Sequence, residues 1–238
     1  MRDILKSILF SFYYIKVAKK NYLPFLLYLA LIQIIQNYLH DIMYLSKSVV
    51  FIELLFTIGF FVASSPIVIN ISRSIINDEV ISNEYISYIN KTYAKLYIKK
   101  LFYLLAAMII ICIVHIMILA PFIPNDDPQK VIILGTALMM YMIYIYTRIM
   151  FILPAAAINI SLDLKDSFNY TKGFSTKIYF LYIAIIIPYI LLSLLIIKYN
   201  INTQYLPVSI IISIILQLFL TTLSSSLIAY IYKRLIKN

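Results

Sequence analysis

The stretch KLYIKKLFYLLAAMIIICIVHIMILAP, Lys95–Pro121, decides the fold class. Lys95, Lys99 and Lys100 crowd its start, twenty residues from Leu101 to Ala120 carry no acid, lysine or arginine, and a proline follows. A helix rises about 1.5 Å per residue, so this run covers the ~30 Å of a hydrocarbon layer. In lipid every backbone N–H and C=O must find a partner inside the protein. The run is too long for a barrel strand, so a transmembrane helix is predicted, entered through a cationic collar.

Working outward, five further runs of this kind occur: Leu23–Leu39, Val49–Ile71, Val131–Leu153, Ile178–Ile197 and Pro207–Tyr232. With Leu101–Ala120 they predict an all-α integral membrane protein of six spans, a single polytopic domain over residues 1–238. Pro121 and Pro154 are expected to stop the third and fourth spans, because proline has no N–H to continue a helix. Composition agrees: 63% of residues are hydrophobic and 13% charged, against about 45–50% and 25% in soluble domains. Glycines are confined to Gly59, Gly135 and Gly173, which leaves no glycine-rich phosphate loop or flexible linker. The single Cys112 excludes an intrachain disulfide. Heavy use of Ile, Tyr, Asn and Lys points to an AT-rich genome. The segment MRDILKSILFSFYYIKVAKK resembles a signal peptide in outline. Its apolar stretch is short and no A-x-A site follows, so it is expected to be retained.

Charge orients the spans. The chain has a net charge of +10, and of its 20 Lys and Arg all but Lys47, Lys130 and Lys198 fall in the terminal segments or the second and fourth connections. The positive-inside rule then predicts cytoplasmic N- and C-termini. Anionic headgroups, rather than nucleic acid, are the expected partners of this basic face. The connection Ser72–Lys100 has two readings. Ile86, Tyr88, Ile89, Tyr93, Leu96 and Tyr97, interleaved with Asn90, Lys91 and Lys95, suit an interfacial helix. A plain extension of the third span fits as well. The words Ser11–Lys16, Ser87–Lys91 and Ser167–Lys172 resemble one another, and each precedes a pair of spans. They predict three hairpin repeats, each led by a cytoplasmic interfacial helix; the alternative is coincidence in a biased composition.

Polar residues within the spans are the candidate site. Gln33, Gln36, Asn37, His40 and Asp41 share one face of the first span, Glu53, Thr57 and Ser64 a stripe of the second, and Ser213, Gln217, Thr221, Ser224 and Ser225 a stripe of the sixth. One reading is a polar cavity lined by spans one, two and six, formed by Gln33, Gln36, Asn37, Glu53 and Gln217. His115 of the third span joins Glu53 as a group able to take a cation or proton. The other reading is helix–helix hydrogen bonding, worth about 0.6 kcal/mol per pair on average. Catalytic chemistry finds little support. No H-E-x-x-H, G-x-S-x-G or P-loop occurs. Cys112-x-x-His115 supplies only two ligands, so no metal is expected. His40-Asp41 are adjacent on a helix and face apart, and Asp126-Asp127 reads as a solvated turn. No cofactor is expected.

The region RIMFILPAAAINISLDLKDSFNYTKGF, Arg148–Phe174, carries a family resemblance. Arg148 lies late in a span. Leu153-Pro154-Ala155, Ser161-Leu162, Ser167 and Thr171-Lys172-Gly173 follow before the next span. This pattern resembles the membrane domain of bacterial glycerophosphoryl diester phosphodiesterases and related stand-alone six-span bacterial membrane proteins of unknown function. The resemblance implies a helical six-span domain in the bacterial inner membrane. It implies no catalytic residues, since the phosphodiesterase chemistry of the fused enzymes belongs to a separate soluble domain. Read physically, Arg148 can extend its guanidinium to the interface, and Asn159 or Ser161 can cap a short helix that Gly173 ends. The leading functional expectation is a non-enzymatic interaction or envelope-organising module engaging lipid or a membrane-protein partner. A small permease or transporter subunit is the alternative, and an intramembrane enzyme acting on lipid is a third.

Overall fold

The computed structural model describes the backbone of residues 2–43, 48–82, 91–119, 121, 128–203 and 206–236, with side-chain surroundings given throughout except at 36–43, 48–51, 53, 119, 128–133, 193, 196–203 and 206–209. Nine helices and no strand occur among the described residues: α1 (Arg2–Val17), α2 (Lys19–Met43), α3 (Ser48–Ile76), α4 (Thr92–Leu119), α5 (Pro128–Ile149), α6 (Ile152–Ala157), α7 (Leu164–Tyr170), α8 (Ser175–Thr203) and α9 (Leu206–Ile236). Five stretches are long and apolar enough to cross a membrane: Leu54–Ile76, Thr92–Ile118, Leu134–Ala157, Ser175–Leu192 and Ile210–Ile236. Only 11% of the Thr92–Ile118 window is buried within the protein. Ile110, Ile113, Val114, Ile116 and Met117 all point outward, and these side chains are stable there only if hydrocarbon solvates them.

The core gathers at one end. There α9 packs along α1 and α3, and α6 stands between α3, α4 and α9. Every residue from Ile149 to Ala157 is buried. Met150, Phe151 and Ala155 feed one apolar cluster, while Ile149, Ile152, Leu153, Ala156 and Ala157 feed a second. The three alanines let neighbouring helices approach α6 closely. Ion pairs tie the same end together: Asp3 with Arg234, Asp78 with Lys233 at 2.7 Å, Glu79 with Arg73 at 2.5 Å, and Asp163 with Lys100 at 2.8 Å. Ser82 is clamped beside them, its carbonyl accepting from Asn21 and from Asn70 Nδ2 at 2.7 Å.

Two expectations are corrected. The fourth apolar run is not one helix stopped by Pro154. Helix α5 ends at Ile149, a turn at Met150–Phe151 intervenes, and Pro154 lies in the first turn of α6. A continuous helix would need the Pro154 N–H to reach Met150 O, and that donor does not exist. The break therefore falls before the proline, and the proline sits where its missing N–H costs nothing. The short helix after it is capped by neither Asn159 nor Ser161. Asp163 and Asp166 form its capping box, with Asp163 N–H donating to Asp166 Oδ2 at 3.4 Å. Asn159 has φ +65° and closes α6 in a Schellman arrangement, with Ile160 N–H donating to Ala155 O at 2.9 Å and Asn159 N–H to Ala156 O at 3.0 Å. From Thr92 onward α4 is one unbroken helix, so there the extension reading applies; Ile86, Tyr88, Ile89 and Asn90 lie outside the described residues.

Inward-facing polarity is handled locally. Helix α1 turns Asp3, Ser7 and Ser11 inward and exposes Leu5, Leu9, Phe12 and Tyr13. Ser7 and Ser11 donate to Asp3 O and Ser7 O, one turn back, so neither serine hydroxyl is stranded. Pro66 inside α3 releases the carbonyl of Val62, and Ser65 Oγ donates to it at 2.7 Å. Intramembrane prolines are tolerated when a neighbouring hydroxyl does this. Ser65→Ala is expected to cost about 1–3 kcal/mol by stranding that carbonyl. Pro66→Ala in the same chain restores a backbone donor, so the double variant should unfold at a higher temperature than Ser65→Ala alone in a detergent melt.

Candidate functional site

The polar stripes of α2, α3 and α9 meet. Gln33 Nε2 donates to Ser213 Oγ at 2.8 Å. Beside them lies a cavity of about 240 Å³ lined by Leu29, Ile32, Gln33, Phe56, Thr57, Phe60, Phe61 and Gln217. Gln217 Oε1 is buried there without a hydrogen-bond partner among the described residues. An amide oxygen of this kind is an acceptor facing a space large enough for a few waters or a small polar solute. Gln33, Thr57 and Gln217 thus line one space. The side chains of Gln36, Asn37, Glu53, His40 and Asp41 lie outside the described residues. His115 is not among the groups lining this cavity. Its Nδ1 lies 2.7 Å from Ile111 O, one turn back, and its ring packs on Tyr141 with centroids 4.6 Å apart. The hydroxyls farther along α9 do not bridge helices: Thr221, Ser225, Thr222 and Ser226 donate to carbonyls of α9 itself. That arrangement lets the small side chains form a flat packing face.

The motif Arg148–Gly173 forms a second cluster, at the core end. The turn after α5 leaves C-terminal carbonyls of that helix without α-helical donors. Arg148 O is one of them; Ser167 Oγ donates to it at 2.9 Å, while Thr171 Oγ1, 3.3 Å away, has nearer acceptors in Ser167 O at 2.9 Å and Phe168 O at 3.1 Å. The Arg148 guanidinium returns the contact, donating to Phe168 O at 2.9 Å and lying 4.8 Å from the Phe168 ring centroid. Thus α7 is pinned to the end of α5 from both directions, and Ser167 and Thr171 are fully buried. Lys172 is exposed, and Gly173 takes φ +83° in the turn before α8. Pro154 stands apart in α6. Arg73 completes the cluster by donating to Ala157 O, at the C-terminus of α6, at 3.2 Å. There its positive charge meets the negative end of the helix. Its guanidinium also lies 4.1 Å from the Tyr93 ring centroid. No group of three or more His, Cys, Asp or Glu able to hold a metal occurs among the described residues.

Sequence reasoning missed the inward turn of Lys100. Its ammonium donates to Leu162 O at 2.9 Å and Asp163 Oδ1 at 2.8 Å, so it links α4 to the cap of α7 and does not face headgroups. Asp163, three residues before Asp166, carried the legible signal: a capping acid places its carboxylate at a fixed position, and a cation one helix away can find it.

Comparison with family models, with curated proteins and with solved structures finds no match.

Burial tends to raise the Glu79 carboxyl, but hydrogen bonds from Arg73 and Asn77 and the charges of Arg73 and Lys91 outweigh it and hold its pKa below the usual carboxylate value of 4.5. A depressed carboxylate stabilises the fold above its unfolded pKa, and that contribution fades as pH falls through its folded pKa. The melting temperature should therefore fall on acidification below about pH 4.5, and Glu79→Gln should flatten the part of that fall owed to this pair. Ser167→Ala removes a buried donor from Arg148 O and is expected to cost about 1–3 kcal/mol. Thr171→Ala in the same chain should add nearly its separate cost, because the Thr171 hydroxyl has its nearest acceptor in Ser167 O rather than Arg148 O. Thermal unfolding of the single and double variants measures this.

Proposed function

We propose that this chain is a six-span protein of a bacterial inner membrane with both termini cytoplasmic, α2 supplying the sixth span. It acts without catalysis as a module that engages lipid or a membrane-protein partner in the plane of the bilayer. The observation that carries this reading is the division of labour between the two halves. At the core end, Arg73, Lys100, Lys233, Arg234, Asp3, Asp78, Glu79 and Asp163 bind one another. Their charges join helices and are not arranged around a substrate space. The apolar flanks of α1, α4 and α8 stay open, with Leu5, Leu9, Phe12, Ile110, Met117, Leu191 and Leu195 outward. The placement of the cytoplasmic side rests on the lysine and arginine distribution. The likeness of Arg148–Phe174 to the membrane domain of glycerophosphoryl diester phosphodiesterases supports the same direction. In this chain its residues Arg148, Ser167 and Thr171 work as a helix latch.

A second reading, a small permease or transporter subunit, draws on the Gln33–Gln217 cavity and its unpartnered amide oxygen. Photo-crosslinking side chains placed at Leu9, Met117 and Leu195 in native membranes separate the two. The module reading expects a discrete protein adduct, or one lipid species enriched over its bulk share. It is overturned if every position yields only bulk lipid while Gln217→Leu abolishes a measurable solute flux. Labelling of single cysteines at Lys172 and Arg2 from the same side of the membrane is expected; labelling from opposite sides removes the topology.

A further inference from the structure

A second, larger cavity lies on the opposite side of α3 from the glutamine pair. It measures about 730 Å³ and is lined by Tyr28 of α2, by Gly59, Val62, Ala63, Ser65, Pro66 and Ile69 of α3, and by Ala94, Lys95, Ile98 and Lys99 of α4. This volume falls in the range, roughly 300–1,000 Å³, of sites that hold one drug-sized ligand. Its walls are apolar in effect as well as in composition. The two hydroxyls that line it are already committed: Tyr28 Oη donates to Phe56 O at 2.9 Å, and Ser65 Oγ donates to Val62 O at 2.7 Å.

Polarity enters at one end only. Lys95 and Lys99 lie one turn apart near the start of α4, both exposed. Side chains at this spacing project from neighbouring points about 5–6 Å apart, so two ammonium groups can bracket one phosphate. Neither has an ion-pair partner among the described residues, whereas Lys100 beside them is bound to Asp163. From Ile69 to Gly59 the groove follows α3 for ten residues, or about 15 Å at the helical rise, which is half the thickness of the hydrocarbon layer. The dimensions and charge are those of one leaflet: headgroup at the lysines, acyl chain along α3.

We propose that the groove between α2, α3 and α4 is a binding site for one anionic phospholipid of the cytoplasmic leaflet. Its phosphate sits between Lys95 and Lys99, and an acyl chain lies against Val62, Pro66, Ile69 and Ile98. The inference rests on the interaction-module reading and gives it a specific lipid class and a specific seat. Gly59 shapes the far end of the groove. A Cβ there would meet Tyr28 Oη at 2.0 Å, so glycine is what allows the Tyr28 ring to lie against α3.

The test uses the purified full chain in detergent, with native mass spectrometry after titration with phosphatidylglycerol or phosphatidylcholine. One phosphatidylglycerol is expected to bind saturably. Phosphatidylcholine of the same chain length should bind at least tenfold more weakly. The Lys95→Gln, Lys99→Gln double variant should lose about 30-fold, the factor that two lysines at about 1 kcal/mol each supply near an anionic headgroup. Val62→Trp, at the open side of the groove, should block phosphatidylglycerol while the thermal unfolding profile stays close to that of the parent. Glycerol 3-phosphate, the headgroup chemistry without chains, should not compete. Equal binding of the two lipids, wild-type binding by the double lysine variant, unchanged binding by Val62→Trp, or full competition by glycerol 3-phosphate would each overturn the assignment. Any of these outcomes, with discrete adducts still formed at Leu9, Met117 or Leu195, is failure of the groove alone; absence of those adducts in the parent chain is failure of the module.

Discussion

The constraint on which the structure depends is that a backbone in hydrocarbon must bond to itself. Pro154 cannot give Met150 O its α-helical donor, and Leu153 N–H reaches that carbonyl in a tighter turn at 3.3 Å. The chain turns at Met150–Phe151, α6 starts afresh inside the bundle, and Ser167 returns from α7 to satisfy Arg148 O. Arg73 arrives from α3 for Ala157 O. The break leaves helix-terminal carbonyls inside the bundle, and polar side chains from α3 and α7 reach them.

The same reasoning accounts for what could be read from the residues and what could not. Spans were legible wherever a run of Leu, Ile and Phe exceeded the bilayer thickness, because length and apolarity act locally. Residues 101–119 lie within α4 and Ile178–Ile197 within α8. Gln33 and Gln217 line one cavity, and helical spacing alone puts each of them on a polar stripe of its helix. The interior position of α6 was not legible. Leu-Pro-Ala-Ala-Ala reads as a helix stop, and only the packing of α3, α4 and α9 around it shows that the chain dives inward. Lys100 misled for a related reason. Three neighbouring lysines look alike in a sequence, but a helix turns 100° per residue, so Lys99 faces the membrane side while Lys100 faces the Asp163 cap.

The two cavities flank α3 and divide its chemistry. On one side Thr57 faces the glutamines of α2 and α9; on the other, Gly59, Val62 and Pro66 form an apolar wall that ends at lysines. Pro66 is central to the second face because Ser65 absorbs the carbonyl that it releases. Without that hydroxyl the wall would present a bare acceptor to a hydrocarbon occupant. Close packing of α2 on α3 at Gly59 keeps the two spaces on separate sides of one helix.

The inward face of α1 has a consequence for biogenesis. This helix is synthesised before α9, yet its Asp3 docks on Arg234 and its Phe10 on Tyr230, both in α9. While the ribosome is still working, the serines and aspartate of α1 have no seat, and its leucines must hold it at the membrane surface. A helix made before α9 therefore settles only after it. Assembly closes like a clasp between α1 and α9, and a nascent chain halted before Tyr230 would leave that clasp undone.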